Sequence, residues 1–342
     1  MRSDVLKRAK ITGLTAPVIL AIVALIVPLA ANAQSTARPV KIGVICVGFC
    51  PFGGPGAAVY RPLIEALGRV GLVQGQSLTF DIGGVLASED LLNAEAVKLV
   101  SRRPDLILVW PGNVAAARAA KDATKTIPVV LMGVPDAVEH GLVASLGRPG
   151  GNITGTSVPM YDLTLKQLEV LKEINPRLKN IIVFQGGLDS GARQTLDRLR
   201  EVAASLRFDA GITVTDVQNV EQALAAAPPG ASSVLVLGHI PRVVLNRVQR
   251  LALERKLPVI RSWVAWEGGA GRSTLIVYGP RYSVVAERTA VLIDRIVKGA
   301  RPGDLPVEQP TSYELVIDGV IARALGLTIP PAVRARADEV LD

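Results

Sequence analysis

The sequence predicts an α/β protein of two doubly wound lobes, each a parallel sheet covered by helices. Three observations predict it. Short β-branched runs alternate with stretches whose apolar residues recur at three- and four-residue steps, in two tandem series. The runs are apolar without alternating, as strands buried on both faces must be. The chain that follows a predicted leader, about 309 residues, exceeds what a single core organises.

In the first series the strand runs are Val40–Val47, Leu78–Ile82, Leu106–Trp110 and Val129–Met132. Between them lie Tyr60–Val70, Leu91–Arg102 and Ala115–Ala123 with helical spacing. The second series begins at Asp162, a predicted cap for a helix with Leu165, Leu168, Leu171 and Ile174 on one face. Asn175-Pro176 ends that helix and strand Asn180–Phe184 follows. The alternation continues through helix Ala192–Arg207, strand Ile212–Thr215, helix Val220–Ala227, strand Ser233–Leu237 and helix Val243–Glu254. Strands Pro258–Arg261 and Leu275–Tyr278 and a late helix, Ser283–Lys298, complete it. The segment Gly147–Pro159 (GRPGGNITGTSVP) lies between the two series and suits a strand crossing between lobes. A second breaker cluster after Lys298 makes a further crossing an expectation.

Arg2, Lys7, Arg8 and Lys10 open the chain against one acidic residue, Asp4, and no charge follows until Arg38. The apolar core Ala16–Ala31 ends in Ala31-Asn32-Ala33, small residues where a signal peptidase cuts. The pattern predicts a signal peptide over residues 1–33, cleaved after Ala33. Pro17 and Pro28 argue against a permanent membrane helix, and no cysteine follows the cut to carry a lipid. The expected mature protein is exported, without stable membrane insertion. Cleavage deletes four basic residues and one acidic one, which takes the formal charge from +8 to +5. The remaining Lys and Arg are scattered singly, so a nucleic-acid partner is not expected.

A resemblance enters on specific strings. They are Gly71–Gln76 (GLVQGQ), Ile127–Val130 (IPVV), Gly141–Gly155 (GLVASLGRPGGNITG), Leu168–Glu173 (LEVLKE), Asp304–Thr311 (DLPVEQPT), Tyr313–Ile317 (YELVI) and Ala324–Pro331 (ALGLTIPP). From about Val40 to the C-terminus the chain resembles the ABC-transporter substrate-binding proteins of the type I periplasmic-binding class, in the family related to tryptophan-binding TrpX-like proteins. The resemblance implies two Rossmann-like lobes, 38–157 plus 281–308 and 158–280 plus 309–342, joined by three crossings with a small-molecule ligand between them. It further implies a periplasmic location, an ABC permease of the inner membrane as partner, an amino acid or aromatic carboxylate as ligand, and no cofactor. The chain departs from the family pattern in Cys46–Gly56, Trp110–Asn113 and Ser262–Arg272. These segments fall where a ligand is expected, so its identity does not carry over.

In open parallel sheets, ligands bind beyond the carboxyl ends of the strands. The candidate ligand-binding residues are therefore Phe49, Phe52, Trp110, Gly112, Asn113 and Asp136 in the first lobe. In the second they are Gln185, Gly186, His239, Trp263, Trp266, Tyr278 and Tyr282. Trp110-Pro-Gly-Asn113 opens a helix whose amides can receive a carboxylate, with Trp110 as an aromatic wall; the alternative is a tight turn with Trp110 in the core. Asp136 is either an acceptor for a ligand amine or a turn or helix cap. His239 is either a cleft residue or a satisfied loop residue. Aromatics make up only 4% of the chain. Four of them at two neighbouring strand ends, Trp263, Trp266, Tyr278 and Tyr282, point to an aromatic-lined pocket. Cys46 and Cys50, the only cysteines, can form a disulfide in an oxidising compartment, stay as buried or free thiols, or serve metal or redox chemistry.

With two histidines and two cysteines, no zinc spacing is present and no metal site is expected. Gly53-Gly54-Pro55-Gly56 lacks the dinucleotide-binding spacing, and neither a Walker loop nor a nucleophile elbow occurs. A binding protein rather than an enzyme is the expectation. A periplasmic ligand sensor and a nucleotide-dependent α/β enzyme are the competing readings.

Overall fold

The computed structural model describes residues 38–46, 61–83, 89–110, 112–186, 192–206, 213–216, 220–227, 232–238, 242–261 and 274–342. From Pro39 onward the chain forms one compact unit.

The first sheet is built from β1 (Val40–Ile45), β2 (Leu78–Gly83), β3 (Leu106–Val109), β4 (Val129–Pro135) and β5 (Ile153–Val158). They lie in the order β2-β1-β3-β4-β5, all parallel. Successive side chains of a strand face opposite sides, so both faces need cover. Ile42, Val44, Leu106, Leu108, Val130 and Met132 pack on one side against α1 (Arg61–Arg69) and α8 (Tyr282–Val297). Ile45, Ile107, Val109, Val129 and Leu131 pack on the other side against α2 (Glu89–Ser101) and α3 (Val114–Ala123). The alanines of α3, from Ala115 to Ala120, let that helix approach closely.

The second sheet contains β6 (Asn180–Gly186), β7 (Thr213–Asp216), β8 (Ser232–Gly238), β9 (Val259–Arg261), β10 (Ile276–Gly279), β11 (Glu314–Asp318) and β12 (Glu339–Leu341). Its order is β12-β11-β10-β9-β8-β6-β7. All neighbours are parallel except β10 and β11, which run antiparallel. The wholly parallel sheet read from the sequence is therefore mixed at this one pair. One face packs on α4 (Met160–Ile174), α5 (Ala192–Ser205), α9 (Gly319–Ala324) and α10 (Pro331–Arg336). The other packs on α6 (Val220–Ala225) and α7 (Arg242–Glu254).

The chain passes between the sheets at three places. It leaves the carboxyl end of β5 through Val158-Pro159 into α4, and returns from β10 through Pro280-Arg281 into α8, which covers the first sheet. The third passage runs from Val307 to Tyr313, where Glu308 N–H donates to Gly155 O at 2.9 Å and Ser157 N–H donates to Glu308 O at 2.9 Å. Side chains brace these passages: Thr156 and Thr289 share a buried hydroxyl contact of 3.1 Å, and Arg288 pairs with Glu308.

The expected cap of α4 is corrected. Asp162 sits inside its first turn, and the helix begins at Met160, after a Pro159 that makes no side-chain cap. The expected strand run of β4 stopped at Met132 and the observed strand continues to Pro135, past a register shift between Leu131 and Val134. Among the described residues no helix is long and apolar enough to cross a membrane.

Candidate functional site

The candidate residues lie at the carboxyl ends of strands in both sheets, and the first passage runs from one sheet to the other. Asp136 follows β4 with φ +40°, a conformation aspartate adopts more readily than bulkier residues. Its backbone is pinned by Asp136 N–H donating to Val158 O at 3.0 Å and by His140 N–H donating to Asp136 O at 3.0 Å. Its carboxylate, on a residue only 6% exposed, accepts the backbone N–H groups of Met160 and Tyr161. Asp136 thus supplies the cap that Pro159 cannot, satisfying amides that the start of a helix leaves unpaired. A second carboxylate function toward a ligand amine would have to share these oxygens.

Burial, then the nearby Glu139, push the Asp136 carboxyl up to about 7, and the two helix amides hold it down. The group is therefore protonated in the fold, and ionised in the unfolded chain, across the window from about pH 4 to pH 7. Stability from this group falls as pH rises through that window and levels off above it, by roughly 2–4 kcal/mol at about 1.4 kcal/mol per pH unit. Asp136→Asn keeps an acceptor for the helix amides and removes the titration. Urea denaturation at pH 5 and pH 8 should show wild type losing stability over that interval and the variant losing much less; equal losses would rule the assignment out.

Two turns along α4, Gln167 is fully buried and reaches the edge of the second sheet. Its Nε2 donates to Arg261 O at 2.5 Å and to Tyr278 O at 3.0 Å, tying the ends of β9 and β10. Met160 and Gln167 are seven residues apart, about 10 Å along a helix. One helix thus touches the carboxyl end of the first sheet at Asp136 and that of the second at Arg261 and Tyr278.

Tyr278 is half-buried and packs against the cores of both sheets. Its ring lies 6.0 Å from that of Tyr313, tilted by 38°. Tyr313 in turn donates its hydroxyl to Pro310 O at 2.8 Å. The pair thus joins the β10 edge to the third passage.

Trp110 and Tyr282 have little surface to offer a ligand, at 2% and 5% exposed. Trp110 stands edge-to-face against Tyr282, with centroids 6.5 Å apart and rings at 86°, and its Nε1–H donates to the Tyr282 hydroxyl. The favoured reading of Trp110 as an aromatic wall therefore meets a core tryptophan, and the pair ties the end of β3 to the start of α8. Burial pushes the Tyr282 phenol well above the usual tyrosine range. Gly112 N–H donates to Met132 O at 3.1 Å, and Asn113 Oδ1 accepts Ala116 N–H at 2.8 Å, which caps α3. Gln185 and Gly186 close β6, opposite Leu237 and Gly238 of β8. Cys46, buried at the end of β1, is disulfide-bonded. Cys50, Phe49, Phe52, His239, Trp263 and Trp266 lie outside the described residues.

Arg261 and Gln167 escaped the sequence reading. Arg261 is the last residue of β9, level with Val236 of β8 and Val277 of β10. Desolvation holds its guanidinium below the usual arginine range, and among the described residues no carboxylate pairs with it. The signal that could have found it is position: a charged residue ending an otherwise apolar central strand. Among the described residues no cluster of histidine, cysteine or carboxylate could hold a metal ion.

Comparison with known proteins is consistent with this arrangement. A family model described as ABC transporter substrate binding protein matches residues 54–341. A tyrosine-binding protein of Clostridioides difficile (strain R20291) is 30% identical over 272 residues, covering 78% of this chain and 76% of that protein. The crystal structure of a conserved domain protein from Vibrio cholerae O1 biovar eltor matches with a TM-score of 0.70 at 26% identity, covering 89% of this chain and 100% of that one. An ABC domain in complex with L-Trp from Streptococcus pneumoniae has the same fold, with a TM-score of 0.71 at 22% identity and coverages of 89% and 100%. The two lobes are those of the type I periplasmic-binding fold, and the chain belongs to the ABC transporter substrate binding protein family.

Proposed function

We propose that this protein is the periplasmic solute-binding component of an ABC importer and captures an aromatic amino acid between its lobes. The observation that carries the reading is the family match over residues 54–341, joined by a relative whose own name is tyrosine-binding protein. The leader 1–33 would direct export and be cleaved after Ala33. The first lobe would comprise 38–157 plus 281–308 and the second 158–280 plus 309–342, a division supported by the packing of α8 on the first sheet. Ligand bridging the two edges favours the closed form by its differential affinity, and the closed form docks on the permease. Trp263, Trp266 and Tyr278 would give the second edge its aromatic surface. No covalent step is involved.

A thermal-shift panel of L-tyrosine, L-tryptophan, L-leucine, glucose and ATP tests this. A ligand that binds only the folded state adds about 2.7 kcal/mol at a hundred times its Kd. The expected outcome is a rise in melting temperature with L-tyrosine or L-tryptophan and none with glucose or ATP. A response to glucose or ATP alone, or to nothing in the panel, contradicts the reading.

A further inference from the structure

We propose that Gln167 is a positioning residue of the binding site: its buried amide fixes where β9 and β10 end, and solute affinity depends on that setting although the side chain itself is out of a solute's reach. The inference rests on the binding reading above and names a residue on which the second edge depends.

Gln167 is out of keeping with its surroundings. The stripe that α4 buries runs Met160, Leu163, Gln167, Leu171 and Ile174, at three- and four-residue steps, and every other member is apolar. A buried amide is costly unless its hydrogens are taken up. Here they go to two strand ends. The β9–β10 ladder stops at the rung Arg261–Val277, and Tyr278 is the next residue along β10. At that point Gln167 Nε2 donates to Arg261 O and to Tyr278 O, one amide gathering the carbonyls of both strands. The side chain suits the task, since a primary amide carries two N–H groups and no charge, whereas an ionised glutamate of the same length carries no donor.

The bonds hold parts that matter to binding. Tyr278 shares the α4 face of the second sheet with Ile276, as alternation requires. Fixing its carbonyl fixes the backbone from which the ring projects. Pro280, where the second passage leaves the sheet, is two residues further on. The helix that carries Gln167 begins at the first passage, with its leading amides held by Asp136. Gln167 therefore braces the helix of the first passage against the strand of the second, and lobes that close on a solute turn about both.

A second buried glutamine supplies the control. Gln249 of α7 donates from Nε2 to Thr274 Oγ1 at 2.8 Å, two residues before β10 begins. It steadies the same strand at its amino end, away from the carboxyl ends where a ligand is expected.

The test is titration calorimetry of wild type, Gln167→Met, Gln167→Glu and Gln249→Met with L-tyrosine and L-tryptophan at pH 7 and pH 5, with each melting temperature measured alongside. A bond that serves stability alone leaves the affinity of the folded molecule unchanged. Gln167→Met, which fills the space without a donor, should weaken binding about 10-fold, the scale seen when the hydrogen bond behind a metal-holding side chain is removed. Gln167→Glu at pH 5, where burial keeps the carboxyl protonated and one donor survives, should fall between. Gln249→Met should melt earlier and bind as wild type does. Wild-type affinity in folded Gln167→Met overturns the proposal and leaves the amino-acid reading intact; should that variant not fold, wild-type affinity in Gln167→Glu does the same. Equal losses of affinity in Gln167→Met and Gln249→Met also overturn it, as general loosening of the second lobe. Binding of neither amino acid by wild type at either pH defeats the amino-acid reading and the proposal with it.

Discussion

Gly155→Ala should destabilise the first lobe by roughly 3–6 kcal/mol, combining the cost of a strained backbone conformation with that of overpacking. Gly155 lies in β5 with φ +137°, outside the range L side chains adopt easily. A methyl group there would stand 2.2 Å from Leu131 O and 2.3 Å from Leu131 N, atoms of the neighbouring strand that cannot rotate aside. The close approach has a purpose. Where β4 shifts register between Leu131 and Val134, β5 moves in against it, and Thr156 Oγ1 accepts Gly133 N–H at 2.8 Å to fill the gap. Gly155 O also receives Glu308 N–H, so the damage would spread to the third passage between lobes. Gly147→Ala is the control: it lies in the same glycine-rich string, but its added methyl meets nothing within 4 Å. Thermal unfolding should show a drop of at least about 6 °C for Gly155→Ala, at 2–4 °C per kcal/mol for a unit of this size, and almost none for Gly147→Ala. Equal melting temperatures would mean that the strands are not packed as described.

Trp110→Ala should cost about 3–5 kcal/mol, the range for emptying a buried tryptophan site. The indole fills the space between the end of β3 and α8, and its loss removes the hydrogen bond to the Tyr282 hydroxyl inside the core. Trp110→Phe separates the two contributions, since it keeps an aromatic body and removes only the donor. It should cost about 1–3 kcal/mol, the scale of an unsatisfied buried polar group. Chemical denaturation of both variants checks the order. A Trp110→Ala protein as stable as wild type, but with lost ligand binding, would restore the reading of Trp110 as a ligand wall.

The contrast between Trp110 and Asp136 shows what can be read from sequence here. Both were singled out because they follow apolar strands, and both do lie at strand ends. What each does there depends on remote partners: Tyr282 is 172 residues from Trp110, and the helix that Asp136 caps begins 24 residues later in the chain. The central strands β3 and β4 were legible because each is a continuous apolar run buried on both faces. The short C-terminal elements were not: β12 is three residues with an exposed pattern, and β11 earns its place by pairing antiparallel with β10. Arg261 looks in sequence like any arginine closing a strand. Only the structure shows that it ends a central strand between β8 and β10 and that its backbone carbonyl is held by Gln167 of α4.

The central claim, that the lobes close on an aromatic amino acid, is tested most directly by small-angle scattering of the purified protein with and without saturating L-tyrosine or L-tryptophan. Closure predicts a smaller radius of gyration with the amino acid and no change with glucose. An unchanged radius under conditions where calorimetry shows the amino acid bound would contradict closure, and absence of binding would contradict the ligand assignment itself.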